Sequence, residues 1–286
     1  RWSGNTSYNF DGYLADIFGI EGEAKSPTDF IELGDYGNYV TKEYTGSFGF
    51  NGFHLDNQPK NSADLLIQSA HNETSTTFVD SANGIPVTAG GGAKHTIYRA
   101  SPFASNERSA YFDGFNDYIK VSSASSDFAF GTGDYTIEGW FNFSDLSGTE
   151  TICDFRPFNA TDNNRTYFAT TGTGLYMRLG SSDTTLAASG SLISHRWHHI
   201  AFVRSSGTLK TYIDGELKTS ITSSTNHSSN GTPHLGSTAR FDQFYNVNHT
   251  NFFKGFLYDF RIVKGTAVYT GEFTPPNGKL SSTGGN

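Results

Sequence analysis

The sequence predicts an all-β protein, an antiparallel sandwich of two sheets. Three observations lead there: short runs alternating apolar and polar residues, reversals such as Asp113-Gly114 and Asp214-Gly215 between runs, and 25 Phe, 15 Tyr and 32 Gly against one Met. Aromatic rings fit a pleated surface, and Gly supplies the positive φ of tight turns. The 286 residues allow one domain of about 200 residues and part of another.

A long repeat organises the chain. Phe10-Asp11-Gly12-Tyr13-Leu14-Ala15-Asp16-Ile17 returns as Phe253-Lys254-Gly255-Phe256-Leu257-Tyr258-Asp259-Phe260, and Gly22, Ala24 and Phe30 then fall on Gly265, Ala267 and Phe273. The period is domain-sized, beyond the roughly 20–50 residues of solenoid units. Residues 1–31 are therefore expected to be the closing strand of a preceding domain, and residues 64–276 a complete domain of the same type. Residues 32–63 read as an ordered connector, because Tyr36, Tyr39, Tyr44, Phe48, Phe50 and Phe53 give it apolar area to bury. Residues 277–286 begin a tail or a further linker. A lone strand over residues 10–20 leaves backbone unpaired, so residues upstream of Arg1 or another subunit are expected to complete it.

From residue 64 the strands follow in order. Asp64-Leu65-Leu66-Ile67 is short and apolar, as a buried first strand is, and Thr76-Thr77-Phe78-Val79-Asp80 follows before the breaker Ser81-Ala82-Asn83-Gly84. Ser109-Ala110-Tyr111-Phe112 and Asp117-Tyr118-Ile119-Lys120-Val121 flank Asp113-Gly114-Phe115-Asn116, read as a tight reversal. Residues 135–143 alternate, with Tyr135, Ile137, Phe141 and Phe143 on one face and Thr136, Glu138, Trp140 and Asn142 on the other, which predicts one core face and one half-wet face. Further strands are expected over 165–169, 174–179 and 197–204. Residues 209–213 and 216–218 flank Asp214-Gly215, the signature of a type I′ hairpin, and 255–263 is the last strand.

Bulk properties exclude several classes. The formal charge of -8 comes from scattered acids, so the chain lacks the basic footprint of a nucleic-acid binder. One cysteine, Cys153, rules out an internal disulfide framework, and it reads as a small buried hydrophobe. No apolar run approaches the ~20 residues of a membrane span, so membrane insertion is not expected. His195, His198 and His199 cluster around Trp197, but neighbours on a strand point to opposite faces, and the three read as polar surface histidines. Eight Asn-x-Ser/Thr sequons, at Asn5, Asn72, Asn142, Asn159, Asn164, Asn226, Asn230 and Asn248, read as polar loop composition.

Five segments carry a resemblance: Ser109 to Gly114, Phe130-Gly131-Thr132-Gly133-Asp134-Tyr135-Thr136-Ile137-Glu138-Gly139-Trp140, Trp197-His198-His199-Ile200-Ala201-Phe202-Val203-Arg204, Leu209 to Gly215, and Gly255 to Ile262. In this order they resemble the strand motifs of laminin G-like domains, of the concanavalin A-like lectin and glucanase superfamily. The resemblance implies a two-sheet jelly roll. Val263 to Pro276, together with Lys42 to Leu55, is similar to segments of phage structural and tail-fibre proteins, particularly of marine phages, where such domains stand in tandem. That similarity implies a location on a virion surface, or alternatively an extracellular one, among other subunits of the same particle as a homo-oligomer.

The resemblance also frames the chemistry. Glucanases of the superfamily carry Glu-x-Asp-x-x-Glu on one strand, whereas here Glu138 stands alone, and Glu150 and Asp154 are four apart. On one strand that is ~13 Å, too far for either glycosidase geometry, so the chain is not expected to be an enzyme. The superfamily often holds a structural Ca²⁺ at a penultimate-strand Asp. Asp259 resembles that residue, as Asp16 does in the repeat, with Asp80 or the carbonyl of Gly114 completing the shell; alternatively Asp259 caps a hairpin or pairs with Arg261. For sugar, the ring-bearing loops 159–167 and 240–249 offer Tyr167, Arg240, Phe241, Asp242, Phe244, Tyr245 and Asn246, against ordinary loop packing as the alternative. Two functions stand open: a non-catalytic adhesion module binding host-surface glycan, and a purely architectural module of a capsid, tail or filament.

Overall fold

The computed structural model describes residues 17–33, 39–41, 44, 53–55, 63–69, 72–103, 107–123, 125–156, 166–179, 182–228, 230–238 and 251–282. The chain divides into two units, Arg1–Lys60 and Asn61–Asn286. The first contains β1 (Ile17–Gly19), β2 (Ile31–Leu33), β3 (Tyr39–Thr41) and β4 (Phe53–Leu55), with β1 antiparallel to β4 and β2 antiparallel to β3. The segment read as a connector thus supplies two paired strands. Between β1 and β2, Ser26 caps a 3-10 turn, and Asp29 Oδ2 accepts the Ser26 backbone N–H at 2.8 Å. The repeat residues Phe10 to Asp16 lie outside the described residues.

The second unit is the expected sandwich. Its strands begin with β5 (Leu65–Ile67), β6 (Val87–Gly90), β7 (Lys94–Thr96), β8 (Ser109–Asp113) and β9 (Tyr118–Val121). They continue with β10 (Tyr135–Phe143), β11 (Thr151–Asp154), β12 (Thr166–Thr171), β13 (Gly174–Leu179) and β14 (Ser182–Ala187). The last are β15 (Trp197–Ser205), β16 (Thr208–Ile213), β17 (Glu216–Thr222), β18 (His234–Leu235) and β19 (Lys254–Lys264). One sheet runs β17-β16-β15-β10-β19-β8-β7, with β5 also on β19; the other runs β14-β13-β12-β11-β18-β9-β6. All pairings within these sheets are antiparallel, and in the larger sheet the central strand β10 lies beside β19. Along one edge of β19 the partner changes, from β8 at residues 254–257 to β5 at residues 260–262.

The inner faces close on one apolar core. Phe141, Phe143, Phe202, Phe260 and Ile262 from the larger sheet meet Ile119, Cys153, Phe168, Leu175 and Met177 from the smaller. Phe168 stacks on Phe202 across the gap with centroids 4.3 Å apart. Burying each such ring contributes roughly 1.5–3 kcal/mol, which is how a chain without disulfides holds two sheets together. Cys153 sits in this core as the small hydrophobe expected of it, and burial pushes its thiol well up.

Four expectations need correction. All nine residues of β10 are buried, so its second face is not half wet. The chain after β19 folds back over that face: Val268 N–H donates to Thr136 Oγ1 (2.9 Å), Arg261 Nη1 donates to the Ser281 carbonyl (2.8 Å), and Val268, Tyr269, Phe273 and Leu280 pack on the sheet. Secondly, Asp113-Gly114 is no hairpin, because β8 and β9 belong to different sheets. The turn is a corner in which the Asp117 carboxylate accepts the N–H of Asp113 (2.8 Å) and of Gly92. Thirdly, residues 76–80 form no regular strand; only Asp80 bridges to Ile67. Lastly, the sequon residue Asn142 is fully buried within β10 rather than placed in a loop.

The hairpin at Asp214-Gly215 forms as read. Both residues have positive φ, +53° and +81°, the requirement of a type I′ turn. At Gly215 a Cβ would come within 1.8 Å of the Phe273 carbonyl oxygen, so the returning C-terminal chain also demands glycine there.

Candidate functional site

At the β7 edge of the larger sheet a cleft of about 570 Å³ opens, lined by Glu73, Thr74, Lys94, Thr96, Tyr98, Arg99, Tyr111, Ser144, His195 and Phe256. Strand alternation explains which side it faces. Ala110, Phe112 and Leu257 enter the core, so Tyr111 and Phe256 point out of the sandwich, and Lys94, cross-strand from Tyr111, joins them. Tyr111 and Phe256 rings lie 5.3 Å apart, and Tyr98 meets Phe256 at 5.7 Å. Tyr98 is 68% exposed, so its ring offers a free apolar face.

The polar groups around this platform are held by backbone. Glu73 accepts from Thr96 Oγ1 at 3.2 Å and from the Ile97 N–H at 2.6 Å, and Arg99 Nη1 donates to the His195 carbonyl at 3.1 Å. Thr74, Arg99 and His195 have φ of +64°, +51° and +61°, so half of the six described non-glycine residues with positive φ line this one cleft. Each such conformation costs on the order of 1 kcal/mol or more, and strain of this kind gathers where a ligand site is shaped. An aromatic platform beside fixed donors and acceptors is what a pyranose needs, an apolar face and hydroxyl partners. Nothing in the sequence marks it, because its walls come from six separate segments.

The residues proposed from sequence fare differently. Arg240, Phe241, Asp242, Phe244, Tyr245 and Asn246 lie outside the described residues, as does Asp16. Tyr167 is fully buried, its ring beneath Arg156 at 4.4 Å and its hydroxyl accepting from Asn251 Nδ2 at 3.1 Å, so it presents no face to a sugar. For calcium, Asp80 is consumed: Oδ1 accepts from Leu66 and Ala82 N–H, and Oδ2 from Asn83 and Ile85 N–H, at 2.8–3.1 Å. Gly114 follows Asp113, which pairs with Lys254, five residues from Asp259 along β19, or about 16 Å at ~3.3 Å per residue. One ion therefore cannot bind both. Among the described residues no group of three or more His, Cys, Asp or Glu is placed to hold a metal ion.

Asp259 itself neither caps a hairpin nor pairs with Arg261. It is the extra residue of a β-bulge opposite Gly139 and Trp140, with φ +48°. Its Oδ2 accepts from Leu280 N–H (2.7 Å) and Gln68 Nε2 (3.2 Å), while the buried Oδ1 has no hydrogen-bond partner among the described residues. Burial pushes its carboxyl up to about 6, against the pull of the Leu280 and Gln68 hydrogen bonds.

The acids and histidines considered for chemistry are built into the fold. Glu138 takes Arg261 Nε and Nη2 on Oε1 (2.9 and 2.7 Å) and Tyr269 Oη–H and His199 Nε2 on Oε2 (2.7 and 3.1 Å). Burial opposes its charge, but the His199 hydrogen bond and the Arg261 charge hold its carboxyl below the usual range. Asp154 is clamped by Arg156, with Nη2 to Oδ2 at 2.6 Å; burial pushes Glu150 up to about 8. His198 and His199 are buried, not surface residues, His198 joining Asp214 at 2.9 Å. They do face opposite ways, as strand geometry requires, and His195 alone of the three is exposed.

A laminin G-type family model, described as the concanavalin A-like lectin/glucanases superfamily, matches residues 112–268, more than half of the chain. None of the curated proteins is matched by this sequence. Among solved structures the chain is similar to domain 4 of AbnA, a GH43 extracellular arabinanase from Geobacillus stearothermophilus, in complex with arabinotriose. That likeness has 20% identity and TM-score 0.50 and covers 72% of this chain and 94% of that one. The binding domain of Paraclostridial Mosquitocidal Protein 1 aligns at 16% identity and TM-score 0.54, over 74% of this chain and 51% of that one. A structure of botulinum neurotoxin type C, whose cell entry depends on interaction with two ganglioside molecules, aligns at 14% identity and TM-score 0.50, over 73% and 49%. The chain thus spans nearly all of the arabinanase domain and about half of the two toxin structures. At these identities the likeness describes the fold.

Proposed function

We propose that this chain, which belongs to the concanavalin A-like lectin/glucanases superfamily, is a non-catalytic module that binds carbohydrate in the cleft beside Tyr98. The observation that carries this reading is the pairing of the exposed Tyr98 ring, seated on the buried Phe256, with backbone-held polar groups in a strained rim. The arabinotriose in the arabinanase domain and the gangliosides of neurotoxin type C support it, as uses to which the same fold is put. An enzyme is disfavoured by the engagement of Glu138 with four donors and of Asp154 with Arg156. A glycan array on the whole chain tests the reading: specific sugars should be retained, and Tyr98→Ala should lose them. An array without retained sugars, or one unchanged by Tyr98→Ala, would count against the cleft.

The similarity to phage structural and tail-fibre segments supports a finer placement, on a virion surface where the glycan is that of a host cell. The repeat supports neighbouring copies or other subunits around the first unit. Labelling intact particles with an antibody to the chain would test the placement, and light scattering the assembly. Among the described residues of the proposed set, a calcium ion would have Asp259 Oδ1 as its available carboxylate oxygen. That proposal expects calcium to raise the melting temperature of chelator-treated protein, and Asp259→Asn to abolish the rise.

A further inference from the structure

We propose that the sugar taken by this cleft is acidic, a pyranose bearing a carboxylate of uronic or sialic type; this rests on the carbohydrate reading above. Four ionisable groups of the lining bear on it: Glu73, Lys94, Arg99 and His195. Glu73 is the only acid, and its two oxygens are engaged by Thr96 Oγ1 and the Ile97 N–H. Among the described residues neither permanent cation, Lys94 or Arg99, is in a direct ion pair, although the charge of Lys94 is felt at Asp117. Lys94 Nζ lies over the Tyr111 ring, 5.9 Å from its centroid, and Arg99 uses one of its N–H donors on the His195 carbonyl. The nearby Asp117 is turned to the corner, its oxygens taken by the Gly92 and Asp113 N–H groups.

The surrounding charge sharpens the argument. With a formal net charge of -8, the chain as a whole repels anions, so attraction of one must come from a local arrangement. The pair of cations is a local device beside an aromatic platform. A guanidinium can hold a carboxylate with two parallel hydrogen bonds, and an ammonium adds a point charge. A sugar ring lying on Tyr98 would bring its carboxylate into a cleft lined by both cations, while a neutral sugar would leave both to water.

Titrations of the whole chain with 3′-sialyllactose, a galacturonate oligomer, lactose and sulfated lactose test the inference. At least one carboxylated sugar should bind at least tenfold tighter than lactose, with the advantage shrinking as salt rises. Asn tolerates the left-handed backbone of position 99, so Arg99→Asn keeps the turn while removing the charge; with Lys94→Gln it should bring the acidic sugar down to the affinity of lactose. An unchanged melting temperature would show that the fold persists. Lactose bound in a Tyr98-dependent way without preference for the acidic sugars overturns the carboxylate and spares the carbohydrate reading. Sulfated lactose bound better than either carboxylated sugar overturns the carboxylate likewise, and no binding by any of the four overturns both.

Discussion

Arg261 donates two hydrogen bonds, from Nε and Nη2, to the same oxygen of Glu138, at 2.9 and 2.7 Å, across the central strand pair β19–β10. Both side chains are fully buried beneath the returning C-terminal chain. The other carboxylate oxygen accepts from His199 Nε2 and Tyr269 Oη–H, and Tyr269 stacks on Phe273 at 3.5 Å. The cluster therefore ties three strands to the segment that covers them, and it engages both carboxylate oxygens of Glu138.

Glu138→Ala should destabilise the second unit by about 3–5 kcal/mol, because it strands a buried guanidinium. Removing both charges, in Glu138→Leu with Arg261→Met, should cost less than the single change. Denaturant unfolding of the three variants checks this; a single variant within about 1 kcal/mol of the parent would contradict the structural role.

Asp259 predicts a stability difference that depends on pH. Its carboxyl lies at about 6 in the fold against an ordinary value of 3.8, so between these values the folded chain holds a proton that the unfolded chain has released. Its contribution is most favourable at low pH and is lost as pH rises from about 4 to about 6. Asp259→Asn, which also suits the left-handed backbone, should gain on the parent through that window and level off above it, by on the order of 2 kcal/mol. Melting curves from pH 4 to 8 measure it, and a flat difference would show that the carboxyl is not raised.

Tyr98→Ala should leave stability within about 0.5 kcal/mol, since the ring is 68% exposed, while weakening sugar binding roughly tenfold or more. Calorimetric titration beside a thermal melt separates the two effects. A loss of folding in place of a loss of affinity would make Tyr98 a packing residue.

Gly215→Ala should destabilise by more than the roughly 1 kcal/mol of a left-handed alanine, because its methyl would meet the Phe273 carbonyl. Hydrogen exchange should show opening of both β17 and the C-terminal segment. Protection lost from β17 alone would mean that the carbonyl contact is dispensable.

Period-two alternation marked Tyr135, Ile137, Phe141 and Phe143 as one face, and Asp214-Gly215 as a type I′ turn, because these properties depend only on neighbours in the chain. The family was legible for the same reason, its motifs being strand-length and in order. Asp113-Gly114 had the chemistry of a turn, but whether a turn joins partners in one sheet or crosses between two depends on strands elsewhere.

Local pattern determined the all-β class, the two-sheet architecture and which residues of β10 alternate, but not every strand, as residues 76–80 show. Tertiary structure alone decided what covers the second face of β10, and so turned Glu138, His198 and His199 from candidates for chemistry or solvent into buried partners. It also decided the site. Tyr98, Tyr111, His195 and Phe256 are distant along the chain and individually ordinary, and it takes the pairing of β7 with β8 and of β8 with β19, with the hydrogen bonds of His195 to Arg99 and Phe143, to gather them around one space. Local periodicity records which way a side chain points; it carries no record of what another segment, folded back across the sheet, will place in front of it.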